Sequence, residues 1–255
     1  MSNLKTYIAM VVDRSGSMGT IRNDTIEGIN TFITQQQQDP ENTTFTYVQF
    51  DTFYEVMQDN VEMSKVKLID HTTFVPRGGT ALNDAIGKTI NRVDAFIAAQ
   101  PIQDRPEKVV LVIVTDGGEN ASREFKNPAE VKELVTSKQD NEDWQIIYLG
   151  ANQNAIFQAA RYGIRGTSSM NYSPGTKGVK AAYTAAAANV RGLKKGFYEG
   201  IRFDSLQRTS STADSAELQL QATEQFTAAG IDVSANAPID PDDSDSSVDK
   251  QSPKG

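Results

Sequence analysis

Three short segments of the sequence combine acidic or hydroxyl side chains with glycine. They read Asp13-Arg14-Ser15-Gly16-Ser17, Arg77-Gly78-Gly79-Thr80 and Thr115-Asp116-Gly117-Gly118. Apart from Thr115, which closes an apolar run, these segments offer two carboxylates and three hydroxyls, on Asp13, Ser15, Ser17, Thr80 and Asp116. Hard divalent cations prefer oxygen donors of this kind, with no His or Cys among them. The five residues therefore predict a site for Mg²⁺, with Mn²⁺ or Ca²⁺ as substitutes.

The chemistry expected of such a site is binding. Hydroxyl ligands are neutral, so a cation held mainly by them keeps much of its charge and attracts an incoming carboxylate. No general base or nucleophile accompanies the five oxygen donors, and sites that bind metal without such groups usually bind rather than catalyse. The sequence therefore predicts a protein that is not an enzyme.

Two catalytic alternatives fit less well. The stretch from Ser15 to Gly19 nearly matches the G-x-S-x-G nucleophile motif, but Ser15 replaces the first glycine. The base would have to be His71, the only histidine, and no strand end precedes it. A metal-dependent phosphohydrolase would place a second carboxylate two residues after Asp13, where this chain has Ser15.

Alternating strand and helix patterns must position these segments. Apolar stretches rich in Val, Ile, Tyr and Phe predict strands at residues 6–12, 43–50, 53–61, 108–115, 145–150 and 167–172. Apolar residues at helical spacing predict helices at residues 21–37, 81–99, 128–137, 154–162 and 176–195. The order of these elements indicates an α/β fold.

The continuously apolar run at residues 109–115 is typical of a strand buried on both faces of a parallel sheet. We therefore expect a Rossmann-like, doubly wound, mainly parallel sheet with helices on both faces. Residues 43–61 leave no room for a crossover helix around Asp51 and Thr52, so the second and third strands should form an antiparallel hairpin at the sheet edge. The carboxyl ends of parallel strands meet in one crevice, where the glycine-containing segments should lie together.

The combined pattern resembles the metal ion-dependent adhesion site of von Willebrand A (vWA) domains over about residues 4–195. The form most similar is the stand-alone intracellular type of bacteria and their phages. The resemblance implies that Ser15 and Ser17 bind the metal through their hydroxyls, while Asp13 and Asp116 hold it directly or through water. It implies that Thr80 is a ligand that moves inward when a partner's Asp or Glu completes the coordination. The resemblance leaves the roles of Glu119 and Asn120 open.

The composition limits the classes of partner and the cellular location that we expect for this protein. The net charge of −8 disfavours sequence-independent binding to nucleic acid phosphates. Cysteine is absent, which fits a reducing compartment, and the apolar stretch 7–12 is too short for a signal peptide or a membrane span. We therefore expect a cytoplasmic protein, in the host cytoplasm if phage-encoded, that binds a protein partner presenting an acidic residue. An adaptor of an AAA+ ATPase and a structural or virion-associated protein are two forms of this function.

The predicted domain organisation has three parts. Residues 1–196 should form the vWA domain. Residues 197–230 are an uncertain extension in which 217–229 fits a short helix. Residues 231–255 contain six Asp, two Lys and three Pro, a composition typical of a disordered acidic tail.

Overall fold

The computed structural model describes residues 3–151, 154–213 and 215. The disordered tail predicted at residues 231–255 and the helix proposed at 217–229 lie outside these residues. Six strands form one sheet in the order β3-β2-β1-β4-β5-β6. Their bounds are β1 Thr6–Asp13, β2 Thr43–Phe50, β3 Tyr54–Glu62, β4 Lys108–Thr115, β5 Gln145–Ala151 and β6 Ser169–Tyr172.

Strand pairing confirms the predicted mixed sheet. All neighbouring strands are parallel except β2 and β3, which form an antiparallel hairpin at one edge. The central strand β1 lies between β2 and β4, with Asp13 opposite Phe50 and Val12 opposite Val114. This register places the residues that follow β1 and β4 side by side at the carboxyl edge of the sheet.

Six α-helices accompany the strands in the described part of the chain. They are α1 Arg22–Gln36, α2 Leu82–Ala99, α3 Pro128–Asn141, α4 Ala155–Arg161, α5 Thr176–Lys194 and α6 Ser205–Ser211. The helix predicted from residue 21 starts after a 3-10 turn at Gly16–Ile21. The strand predicted from residue 167 begins at Ser169, because Gly166–Ser168 form another 3-10 turn. Among the described residues, no helix has both the length and the apolar character needed to cross a membrane.

Two hydrophobic layers bury the two faces of the sheet. Because strand side chains alternate between faces, Met10 packs in the layer with α1 and α5, and Val11 packs in the layer with α2, α3 and α4. The helices α1 and α5 approach closely at Gly28, where an added Cβ would lie 2.5 Å from the ring of Tyr183. Helices therefore cover both faces, as expected of a doubly wound fold.

Candidate metal centre

Asp13 ends β1 and is fully buried. The amide of Ser15 donates to its Oδ1 over 2.7 Å, and the hydroxyl of Thr115 donates to its Oδ2 over 2.7 Å. A carboxylate that accepts from the backbone two residues later favours a tight turn, so Asp13 directs the chain into the loop that carries the serines. Both oxygens of Asp13 are thereby held in a defined orientation at the carboxyl edge.

Hydrogen bonds connect four of the five predicted site residues. The hydroxyl oxygens of Ser15 and Ser17 lie 3.1 Å apart, and Ser17 Oγ donates to Asp116 Oδ1 over 2.8 Å. Thr80, the fifth residue, is buried, and a Cβ built on Gly117 would lie 3.9 Å from its Oγ1. The structure thus brings all five residues to one place, which the sequence had predicted from three separate segments.

The donor set fits a hard divalent cation. Neither Asp13 nor Asp116 forms an ion pair with a Lys, Arg or His of the described chain. Burial raises the pKa of Asp13 to about 6, against the opposing effect of its hydrogen bonds with Thr115 and Ser15, and burial also raises the pKa of Asp116. Two desolvated carboxylates joined by hydroxyl groups form an acidic cluster whose charge a cation would compensate.

The described residues contain no group of three or more His, Asp or Glu side chains that could hold a metal ion. A cation at the carboxyl edge would therefore depend on the two carboxylates together with neutral oxygens from the hydroxyls and from water. This composition matches the preference of Mg²⁺, which retains several waters and is bound in proteins through one or two carboxylates.

The segment that carries Thr80 lies against both neighbouring loops. Gly78 has a φ of +68°, a left-handed conformation that favours glycine, and its carbonyl accepts from the amide of Gly16 over 3.1 Å. The amide of Gly79 donates to Thr52 Oγ1 over 3.0 Å. The glycines therefore permit the close approach that brings Thr80 beside the serine loop.

Sequence patterns do not identify a partly buried charge network beside the site, in which Arg14 and Asp51 are buried, Arg77 is exposed and Glu55 is partly exposed. Arg14 and Arg77 each donate from Nε to Asp51 Oδ2 over 2.9 Å, and each guanidinium also pairs with Glu55. Burial alone would raise the pKa of Asp51, but the Phe53 amide and the two guanidinium groups hold it below its usual value. The network joins the serine loop, the β2–β3 turn and the segment leading to Thr80.

The structure gives roles to two residues that the sequence patterns do not assign. The sequence identifies Thr115 only as the end of its strand, whereas its hydroxyl donates to Asp13. Asn120 contacts the backbone of Thr80 through both its side chain and its own backbone. A polar side chain after a buried strand was the signal available for each, but neither spacing nor residue type indicated its partner.

The comparisons with known proteins agree with this architecture. The sequence model of the von Willebrand factor type A domain matches residues 8–174. No curated protein matches the sequence. The vWF domain of the type V pili tip protein Mfa5 from Porphyromonas gingivalis is 10% identical, with a TM-score of 0.56; the match covers 75% of this chain and 97% of that one.

Two further solved structures match part of a longer protein. A von Willebrand factor type A protein from Catenulispora acidiphila is 14% identical, with a TM-score of 0.52, over 74% of this chain and 43% of that chain. Proximal thread matrix protein 1 from the mussel byssus, with a zinc-occupied MIDAS motif, is 14% identical, with a TM-score of 0.52, over 75% of this chain and 48% of that chain. The present chain thus spans less than half the length of these two proteins.

At such low identities the likeness to solved structures shows a shared fold. The family match, in contrast, extends from within β1 to just beyond β6 and includes all three segments of the site. Residues 8–174 make up more than half of the 255-residue sequence. The chain therefore belongs to the von Willebrand factor type A domain family.

Proposed function

We propose that the chain is a protein-binding module whose binding depends on a divalent metal. In this proposal Asp13, Ser15, Ser17, Thr80 and Asp116 hold Mg²⁺, and a partner's Asp or Glu completes the coordination. The observation that carries the proposal is the hydrogen-bonded cluster of two desolvated acids and two serines, which lacks a cationic partner in the described chain. Family membership supports it, because vWA domains often mediate metal-dependent protein interactions.

Each side chain has a distinct task in this proposal. Thr115 and the Ser15 amide hold the carboxylate of Asp13, and Ser17 holds that of Asp116, so the ligands are organised before a cation arrives. A bound divalent cation supplies a positively charged acceptor for a carboxylate oxygen. Because Ser17 is exposed and Asp116 is only partly buried, the cluster can be reached by a partner.

We propose binding rather than catalysis for a structural reason. Hydrolysis through Ser17 would need a general base, and the group that accepts from Ser17 Oγ is Asp116, which this proposal assigns to the metal. His71, the only histidine, is exposed on the turn at residues 70–73, where its backbone carbonyl accepts from Arg22. The arrangement supports a role in which the protein holds a carboxylate without reacting with it.

The partner and the metal are proposed at the level of chemistry. The mussel protein has zinc in its MIDAS motif, and Mfa5 is a pilus tip protein. For this chain we propose Mg²⁺, because all five ligands are hydroxyl or carboxylate oxygens. The partner is a protein with an exposed acidic residue; the AAA+ ATPase partner, the stand-alone type and the cytoplasmic location stay predictions from the sequence.

Calorimetric titration with Mg²⁺ and Mn²⁺ tests the metal site directly. We expect the wild type to bind one ion and Asp116→Asn to lose most of that affinity, because the neutral amide is a weaker ligand. Asp104→Asn is the matched control. Asp104 is an exposed carboxylate that precedes β4, so it lies at the amino ends of the strands, away from the site. A wild type without measurable binding, or an equal loss in both variants, would refute the site.

Affinity capture tests the partner. Wild-type and Asp13→Ala baits are each incubated with cell extract in Mg²⁺ and in chelator, and the retained proteins are identified. The proposal predicts at least one protein held only by wild type with Mg²⁺, whose binding is lost when its exposed Asp and Glu residues are neutralised. Identical retention under all four conditions would show that the metal does not drive association.

A further inference from the structure

The loop after β4 is joined to the start of α2 at Thr80. The amide of Thr80 donates to Asn120 Oδ1 over 2.8 Å, and the amide of Asn120 donates back to the Thr80 carbonyl over 2.9 Å. The amide of Ala121 reaches the same carbonyl over 3.2 Å. Asn120 therefore satisfies both backbone polar groups of a residue whose side chain belongs to the metal cluster.

Further contacts strengthen the connection on the helix side. Glu119 accepts from the amide of Asn83, and the amide of Asp84 donates to Ser122 Oγ. Asp84 in turn accepts from the amides of Arg123, Glu124 and Phe125. The first turn of α2 and the loop that begins at Asp116 are thus held together, with Asn120 as the contact directly at Thr80.

The side chain of Asn120 packs closely against the backbone at Gly79. A Cβ added to Gly79 would lie 2.8 Å from Asn120 Oδ1 and 3.2 Å from the Cβ of Ala121, so a larger residue at position 79 would displace the amide oxygen from its present place. The glycine at position 79 and the asparagine at position 120 therefore form a fitted pair. A side chain at position 120 without an acceptor would leave the amide of buried Thr80 without its partner.

We propose that Asn120 is a positioning residue for metal binding: it holds the hydroxyl of Thr80 beside the loop that begins at Asp116, without itself binding the ion. This inference rests on the proposed metal site. A residue that orients a metal ligand through a hydrogen bond typically changes metal affinity by about 10- to 100-fold when it is replaced. Asn120 should therefore influence Mg²⁺ binding through Thr80 alone.

Four proteins test the assignment with Mg²⁺ as the probe. Asn120→Leu removes the acceptor at similar size, and we expect about tenfold weaker Mg²⁺ binding by calorimetry. Asn120→Asp keeps an acceptor oxygen and should bind at least as tightly as wild type. Asn127→Ala is the matched control, because Asn127 ends the same loop but its Oδ1 accepts from the amide of Ala129 in α3. That control should keep wild-type affinity while its melting temperature falls in chelator.

A second background separates positioning from general loss of structure. In Thr80→Val, which lacks the hydroxyl, adding Asn120→Leu should not weaken Mg²⁺ binding further. Equal Mg²⁺ affinity of wild type and Asn120→Leu would overturn the inference while leaving the metal site intact. A further tenfold loss in the Thr80→Val background would also overturn it, because Asn120 would then act by another route. Absence of Mg²⁺ binding by wild type would instead refute the proposed function.

Discussion

At the scale of single residues, Asp13 is a buried carboxylate with neutral hydrogen-bond donors around it. Its contacts with the Ser15 amide and the Thr115 hydroxyl stabilise the charge less than a cation would, and burial raises its pKa. A buried carboxylate without an opposite charge lowers the stability of the metal-free fold. The same residue should therefore disfavour folding without metal and be essential for binding it.

Asp13→Asn separates these two effects. The amide keeps an acceptor for Ser15 and removes the charge, so we expect the free energy of unfolding in chelator to stay equal or rise by about 1 kcal/mol. The increase in melting temperature that we expect Mg²⁺ to produce in the wild type should be absent in this variant. Denaturant unfolding with and without Mg²⁺ measures both quantities. A variant less stable than wild type in chelator would show that Asp13 is mainly a structural residue.

Lys194 is a buried residue near the amino ends of the parallel strands, far from Asp13. Its Nζ donates to the carbonyl of Asp39 over 2.7 Å. Burial lowers its pKa to about 8, although the nearby carboxylates of Asp39 and Glu41 oppose this shift; Arg191 and Lys195 act in the same direction as burial. The unfolded chain, with a Lys pKa of about 10.4, therefore binds more protons than the folded chain above pH 8. Stability contributed at this position should rise with pH.

The comparison of wild type with Lys194→Met tests this effect. Between pH 8 and pH 10 we expect the free energy of unfolding of wild type to increase relative to the variant by about 1–2 kcal/mol. The tyrosines titrate in both proteins, so their effects cancel in the difference. Urea unfolding at several pH values provides the measurement. A difference that does not change with pH would show that Lys194 keeps an ordinary pKa in the folded protein.

Residue-level prediction from the sequence depended on signals within short segments. Asp13, Ser15 and Ser17 are proposed as ligands only together with Thr80 and Asp116, because the joint pattern of three segments is specific and a single D-x-S-x-S triplet is not. Arg14 and Asn120 were not assigned roles, because their partners lie 37 and 40 residues away in sequence. Such contacts depend on how loops from different strands meet, which no pattern within one segment reveals.

At the scale of elements, residues after α5 cover β6, the edge strand at the side of the sheet opposite β3. The carbonyls of Thr167, Ser169 and Asn171 accept from the Phe203 amide, the Arg208 guanidinium and the Ser211 hydroxyl. Arg208 is buried and also donates to the carbonyls of Gly166, Thr167 and Phe203. These contacts occupy the side of β6 that faces away from β5 and so limit edge-to-edge association.

This arrangement gives α6 a role in stability. Arg208→Met would leave several buried carbonyls without donors, so we expect the free energy of unfolding to fall by about 2 kcal/mol. Arg161→Met, which alters an exposed arginine at the end of α4, should change it little. Thermal and urea unfolding of both variants provides the comparison. Equal stability of Arg208→Met and wild type would mean that water replaces the guanidinium at this edge.

The sequence predicted the long elements better than their connections. The parallel strands and the helices on each face follow from apolar periodicity, and the antiparallel hairpin follows from the short interval around Asp51. The helix at 205–211 was not predicted, because its capping box at Asp204 precedes a largely polar segment. Its stability depends on β6, so its own residue pattern carried little information.

At the scale of the whole molecule, the proposed metal centre and α6 lie against different strands of the same sheet. Asp13 ends β1 and Asp116 directly follows β4, and β5 separates β4 from β6. A hydrophobic layer covers each face of this sheet, and side chains of both β1 and β6 pack in the same layer. If the domain unfolds as one unit, a ligand bound at the carboxyl edge should stabilise even those residues that do not contact it.

Hydrogen exchange can test this coupling. At a Mg²⁺ concentration of 100 times the dissociation constant, linkage predicts an additional stability of about 2.7 kcal/mol. Amides that exchange only through global unfolding should then slow by about 100-fold. We expect this at Ser173 and Phe203, whose amides bond across the β6 edge, in wild type but not in Asp13→Asn. Protection confined to the loops around Asp13, Thr80 and Asp116 would show that the β6 edge opens independently of the metal centre.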